Sequence, residues 1–225
     1  MILRAAAIIP AYNEAAAIAA VVEGVRGLVA TTFVIDDGST DATAELARAA
    51  GAEVIEQPEN LGKGAAIRSG LAHVLAADFT HVLLLDGDMQ HLPHEASRLI
   101  EAAASTGADA VLGERQFRRD EMPASRYHTN RIGSWALSSF VGVPIRDTQC
   151  GFRVFAVQVL RDLPLKARSY DIETEMLIKV RRRGGRIIGV PVTAVYGEQR
   201  SKLRPIRDTT RTCFLAVYYR YLERL

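Results

Sequence analysis

Apolar runs of strand length alternate with helix-length amphipathic stretches through the first 112 residues, and this rhythm limits the chain to a layered α/β fold. Leu3–Ile9 reads as a strand and Ala15–Leu28 as a helix, and Thr32–Ile35 and Asp41–Ala50 repeat the pair. Ala52–Ile55, Gly64–Ala76, Thr80–Leu85, Pro93–Ser105 and Ala108–Leu112 continue it, strand and helix in turn. Such alternation predicts a mostly parallel sheet flanked by helices on both faces. In sheets of this kind, ligands gather at the carboxyl ends of the strands. The polar clusters at 10–14, 36–41, 60–64 and 86–90 all fall at a strand end or in the loop after it.

The second half is less regular. Glu114–Ser125 reads as a charged loop, Arg126–Val141 as a helix and Gly151–Phe155 as a short strand. Asp171–Arg183 reads as a helix closed by Gly184-Gly185, Arg186–Val192 as a strand and Ala194–Arg204 as a basic loop. Pro205–Leu225 reads as a final helix with proline at a favourable early position. No repeat or Pro/Gly/Ser linker divides the chain, and 225 residues at 48% hydrophobic content suit one core. A single domain over 1–225 is expected.

The net charge of +2 hides an asymmetry. Residues 1–114 hold 6 Lys+Arg against 16 Asp+Glu, a balance of −10; residues 115–225 hold 22 against 10, a balance of +12. The acidic half suits a metal and the basic half an anionic partner, although solvated faces of one domain account equally well for most of these charges. Cys150 and Cys213 have no metal or redox spacing and fit a reducing cytosolic compartment. Asn13 and Glu14 interrupt the apolar N-terminus, which argues against a signal peptide, and no apolar stretch is long enough to span a bilayer.

The sharpest chemistry lies in His81-Val82-Leu83-Leu84-Leu85-Asp86-Gly87-Asp88-Met89-Gln90. On an extended chain, Asp86 and Asp88 would leave the strand end on the same side. Paired carboxylates repel unless a cation separates them, and hard oxygen ligands suit Mg2+ or Mn2+ with positions left for phosphate oxygens. Pro10-Ala11-Tyr12-Asn13-Glu14 alone reads as an ordinary strand-to-helix turn with Asn13 capping. Asp36 and Asp37 are placed to accept hydrogen bonds from a base or ribose, with Asp41 capping the next helix. Asn60-Leu61-Gly62-Lys63-Gly64 is no Walker loop: Gln57 stands where the first glycine belongs, and Gly64 replaces the Ser/Thr. No Gly-x-Gly-x-x-Gly opens the first helix, which excludes a dinucleotide fingerprint. The five histidines show no metal spacing, and Trp135 is expected in the core or at an interface.

These clusters, with Asp147-Thr148-Gln149-Cys150-Gly151-Phe152-Arg153 and Ser201-Lys202, run in order over nearly the whole chain. Together they resemble the GT-A glycosyltransferases of family 2, most closely the dolichyl-phosphate mannose synthase and polyprenyl-phosphate glycosyltransferase branch. The resemblance implies one GT-A, Rossmann-like nucleotide-diphospho-sugar transferase domain. It implies that Pro10, Ala11, Tyr12 and Glu14 line the nucleotide pocket, that Asp37 reads the base or ribose with Asp36 beside it, and that Lys63 contributes to the donor site. Asp86 and Asp88 would hold the metal with Gln90 close by. Arg115, Arg131 and Ser134 would gather the acceptor phosphate, and Asp147 matches the residue proposed as catalytic base. Arg200 and Lys202 match a mobile basic catalytic loop whose usual Gly-Glu-Ser-Lys is here Gln199-Arg200-Ser201-Lys202. Gly87 replaces the usual alanine between the aspartates, and Glu175 matches a helical acid before the last strand.

The expected activity is metal-dependent, inverting transfer of mannose or glucose from GDP-mannose or UDP-glucose to a polyprenyl phosphate. A saccharide or other hydroxyl acceptor is the alternative within the class. A sugar-phosphate nucleotidyltransferase would need a Gly-rich N-terminal signature that Pro10–Glu14 does not supply, and a DxD phosphatase would carry its motif after the first strand. A non-catalytic binder with this fold is the remaining reading. No nucleic-acid partner is expected. Aromatics and arginines over Asp208–Leu225 suit peripheral contact with the cytoplasmic face of a membrane, a membrane partner subunit, a dimer contact or docking on the protein's own core.

Overall fold

The computed structural model describes residues 3–115, 132–135, 137–139, 142, 144–147, 150–193, 195 and 218. Within them a seven-stranded sheet has the order β3-β2-β1-β4-β6-β5-β7. The strands are β1 Ala5–Ala11, β2 Thr31–Asp36, β3 Glu53–Glu56, β4 His81–Leu84, β5 Ala110–Arg115, β6 Arg153–Ala156 and β7 Ile187–Val192. The helices are α1 Ile18–Val25, α2 Thr43–Ala49, α3 Lys63–Ala76, α4 Ala96–Thr106 and α5 Ile172–Arg182. A 3₁₀ turn at Pro93–Glu95 leads into α4, and one helical turn, Val157–Leu160, follows β6.

The central strands β1 and β4 are largely apolar because both faces of the sheet are covered there. Ala6 and Ile8 face one core cluster while Ala7, Ile9 and Ala11 face the other. Val82 and Leu84 alternate with Leu83 and Leu85 in the same way. The first cluster includes residues of α3 and α5; the second includes residues of α1, α2 and α4.

One strand breaks the parallel rule. β6 runs antiparallel to both β4 and β5 and pairs Arg153 with Leu84. Its amino end therefore lies at the carboxyl end of β4. That reversal brings Gly151 beside Asp86, although the two are separated by more than 50 residues in the chain.

The expected final helix Pro205–Leu225 and the Ala194–Arg204 loop lie outside the described residues, apart from Val195 and Tyr218. Residues 132–135 and 137–139 are helical, within the span expected. Trp135 is 73% exposed and belongs to neither core cluster, which corrects the core alternative of its expectation and leaves the interface one.

Candidate active site

Two strand-end loops are joined into one wall. Asn13 takes a left-handed backbone conformation (φ 53°), and its Oδ1 accepts from the Thr40 backbone N–H at 2.8 Å. The Asn13 N–H donates to Ser39 Oγ, the Glu14 N–H to Thr43 Oγ1 and the Ala15 N–H to Asp41 Oδ2. Asn13 and Asp41 therefore tie the 10–15 turn to the 39–43 turn. Asn13 does not cap α1 as expected, since Ala17 holds that position. Asp41 Oδ1 accepts from the backbone N–H of Thr43, the first residue of α2, at 3.0 Å and so caps that helix start from one residue further back than Ala42. Asp36 is buried and accepts from the Ser39 backbone and hydroxyl. Asp37 accepts from the backbone N–H groups of Leu61 and Gly62 at 2.8 and 2.9 Å, which anchors the third loop to the second. Burial outweighs those bonds and leaves the Asp37 pKa raised.

The Asp86–Gln90 segment is a turn beyond the end of β4, not a strand continuation. The extended geometry expected for Asp86 and Asp88 is thus corrected: Met89 takes a left-handed conformation (φ 57°), and the turn folds Gln90 back on Asp88. The Gln90 N–H donates to Asp88 Oδ1 at 3.0 Å, and its amide nitrogen to Oδ2 at 2.7 Å. Burial, then the neighbouring Asp86, pushes the Asp88 pKa up to about 6. Asp86 goes the other way. Burial would raise it, but the Lys63 ammonium 2.5 Å from Oδ1 leaves its pKa lowered. The same ammonium lies 3.1 Å from Glu173 Oε1 and 5.5 Å from the Tyr170 ring centroid. Gly151 closes the back of this turn, since a Cβ there would come within 2.3 Å of Asp86 Oδ2.

Across the site, Arg115 and Asp147 form a two-point pair. Arg115 Nε donates to Oδ2 at 2.5 Å and Nη2 to Oδ1 at 3.0 Å. Asp147 is 1% exposed. Beside it, His91 stacks on Phe152 with ring centroids 5.5 Å apart, and its Nε2 lies 3.6 Å from Cys150 Sγ. Burial, then Arg115, holds the His91 pKa down to about 4, and burial, then Asp147, pushes the Cys150 thiol up to about 12.

These parts enclose a cavity of about 520 Å3. Its lining includes Pro10, Ala11, Tyr12, Glu14, Asp37, Lys63, Asp86, Asp88, Gln90 and Arg115, all expected from the sequence. Asp36, Asp147 and Ser134 are buried and are not among the lining residues. Arg131, Arg200 and Lys202 lie outside the described residues. His91, Ser169 and Tyr170 also line the cavity, and Glu173 stands behind Lys63. Sequence reasoning missed these four. His91 directly follows the acidic turn, which was a usable signal; Ser169, Tyr170 and Glu173 sit at an unremarkable helix start. Glu175, matched to a helical acid before the last strand, lies on α5 ahead of β7; it accepts from the Lys166 and Ala167 backbone and pairs with Lys179 inside the core.

The donor set fits a hard divalent ion. Asp86, Asp88 and the Gln90 amide offer oxygen donors along one cavity, and the raised pKa of Asp88 reflects its burial and the neighbouring Asp86. Such a site gains from a cation in its charge balance.

The mostly parallel sheet with its reversed sixth strand has the GT-A fold. A sequence model described as glycosyl transferase family 2 matches residues 6–165, and the chain belongs to that family. Glycosyltransferase AglJ of Haloferax volcanii is 36% identical over 218 residues, covering 94% of this chain and 70% of that protein. The undecaprenyl-phosphate mannosyltransferase of Micrococcus luteus is 30% identical over 209 residues, covering 87% and 85%. The solved glucosyl-3-phosphoglycerate synthase of Mycobacterium tuberculosis, in complex with Mn2+, UDP and glucosyl-3-phosphoglycerate, shares the fold with a TM-score of 0.75. That likeness covers 97% of this chain and 80% of that one at 24% identity.

Proposed function

We propose that the chain transfers a hexose, with inversion, from a nucleoside-diphosphate sugar to a polyprenyl phosphate, using Mg2+ or Mn2+. GDP-mannose stands slightly ahead of UDP-glucose as donor. The observation that carries this reading is the Arg115–Asp147 pair at the cavity beside the acidic turn. A carboxylate already held at two points by a guanidinium is a poor proton acceptor, whereas a phosphate acceptor needs no base. It is largely ionised near neutral pH, with a second pKa of about 6. Arginine geometry suits such an oxyanion. A polyprenyl acceptor also agrees with the names of the Micrococcus relative and of a Haloferax volcanii dolichyl-phosphate hexose transferase, 31% identical over 207 residues.

In this reading Tyr12, Glu14 and Asp37 bind and orient the nucleoside, while Asp86, Asp88 and Gln90 would hold the metal. When bound, the ion supplies charge neutralisation for the departing diphosphate, which counts most in the transition state. Arg115 orients the acceptor phosphate, Asp147 holds Arg115, and Arg131, Ser134, Arg200 and Lys202 complete the anion-binding side. The protein works at the cytoplasmic face of a membrane by peripheral contact or through a membrane partner.

A turnover panel tests this. GDP- and UDP-sugars are supplied with Mn2+ or Mg2+, with and without a polyprenyl phosphate. The expected outcome is metal-dependent transfer stimulated by the lipid phosphate. Turnover of a saccharide acceptor alone would replace the acceptor assignment, and no turnover of any donor would favour the non-catalytic reading. Asp147→Asn is expected to raise the acceptor KM more than it lowers kcat. Loss of kcat with an unchanged KM would restore Asp147 as the base.

A further inference from the structure

Lys63 is bound as a shared cation. Its Nζ lies 2.5 Å from Asp86 Oδ1 on one side and 3.1 Å from Glu173 Oε1 on the other, above the Tyr170 ring. Its side chain is 11% exposed, and it lines the same cavity as Asp88 and Gln90. Glu173 is held in place independently. Arg153 donates from Nη1 to the Glu173 carbonyl at 2.9 Å and from Nε to the Cys150 carbonyl at 2.8 Å.

We infer that Lys63 and a divalent cation compete for Asp86, and that the donor's diphosphate resolves the competition by taking the lysine ammonium while Glu173 steadies it. This deepens the proposed function and rests on its assignment of Asp86 and Asp88 to the metal.

Three physical points support it. Lysine is a compact point charge on a flexible stem, so it can exchange one oxygen partner for another within a few ångströms, unlike a two-point arginine. A metal ion arriving alone must detach a buried ammonium from one of its two carboxylates, which is costly when nothing replaces the lost partner. A metal arriving with a diphosphate supplies that replacement. Lys63 is also the first residue of α3, where the helix dipole favours an incoming anion. Metal and diphosphate therefore strengthen each other's binding, and by linkage the gain is equal in both directions. Lys63 acts as a binding and positioning residue that keeps the metal site from filling before the donor.

Mn2+ binding, read from the electron paramagnetic resonance of the free ion, tests this without turnover. In the intact chain, UDP or GDP is expected to tighten Mn2+ about 10-fold or more, within the usual range of such couplings. Lys63→Met should bind Mn2+ alone about 10-fold more tightly than the unsubstituted chain, with the nucleotide's help largely lost. Glu173→Gln should weaken Mn2+ binding, because Lys63 then relies on Asp86 alone. In the Lys63→Met background the Glu173→Gln effect should disappear, which a general electrostatic influence of Glu173 would not do.

Unchanged or weaker Mn2+ binding by Lys63→Met overturns the inference, as does a Glu173→Gln effect that survives in the double variant. Should circular dichroism show Lys63→Met unfolded, Glu173→Gln decides: unchanged or tighter Mn2+ binding overturns the competition. If the unsubstituted chain binds no Mn2+ with either nucleotide, the metal assignment itself fails. Nucleotide-assisted Mn2+ binding retained in full by Lys63→Met sinks only the role of the lysine.

Discussion

Asp88 and His91 stand three positions apart and respond to acid in opposite senses. Asp88 titrates near 6 in the folded protein against an ordinary 3.8, so between those values the native state holds a proton that the unfolded chain releases. Its contribution to stability therefore falls as pH rises through that window. His91 titrates near 4 in the folded protein against an ordinary 6.5, so the unfolded chain takes up a proton that the native state refuses. Its contribution rises with pH over 4 to 6.5. The two nearly cancel. Asp88→Asn removes the first effect and leaves the second, so this variant should lose stability more steeply than the unsubstituted chain as pH falls from 6.5 to 4. Urea denaturation across that range in metal-free buffer measures it, and parallel stability curves for the two proteins would refute it. The acids of this site were legible in the sequence because carboxylates at the end of an apolar strand have few structural uses. His91 was not, because a histidine outside any ligand spacing carries no local sign of the Cys150–Phe152 segment that folds over it.

At the scale of elements, the start of α3 depends on the 165–170 loop. The Gly64 N–H donates to the Arg168 carbonyl at 3.1 Å, and a Cβ at Gly64 would stand 2.6 Å from the Ala167 carbonyl oxygen. Gly62, in a left-handed conformation (φ 93°), meets the Arg168 carbonyl just as closely. These contacts hold Lys63 between Asp86 and Glu173. Gly64→Ala gains helix propensity of about 1 kcal/mol, but crowding against backbone costs about 1–3 kcal/mol. A net loss of stability with weaker Mn2+–nucleotide binding is expected, read by chemical denaturation and by titration. A variant more stable than the parent would show that the 165–170 loop gives way freely. The glycines of 60–64 were visible as a motif, but their partner loop lies about 100 residues on and has no pattern of its own. Strand direction was hidden for the same reason. Gly151–Phe155 reads as a strand from its apolar residues, yet only the pairing of Arg153 with Leu84 and Leu112 makes the strand antiparallel.

Across the whole molecule, the acidic first half supplies most of the cavity lining while the second half carries a balance of +12. Among the described residues no helix is long and apolar enough to cross a membrane. Ile132 and Trp135, three residues apart on one helical segment, are 58% and 73% exposed. An aromatic and an aliphatic side chain on a basic half suit shallow contact with an anionic bilayer, where each lysine or arginine near the surface adds about 1 kcal/mol. That contact would present a lipid phosphate to Arg115 without a spanning segment. The protein should therefore float with vesicles containing anionic phospholipid at low salt, and not with neutral vesicles. Raising salt to about 1 M shortens the screening length to about 3 Å and should release it. Trp135→Ala should reduce flotation while leaving hydrolysis of a soluble donor unchanged, since Trp135 does not line the cavity. Absence of vesicle binding at low salt would remove direct contact as the route to the acceptor and leave a membrane partner to deliver it.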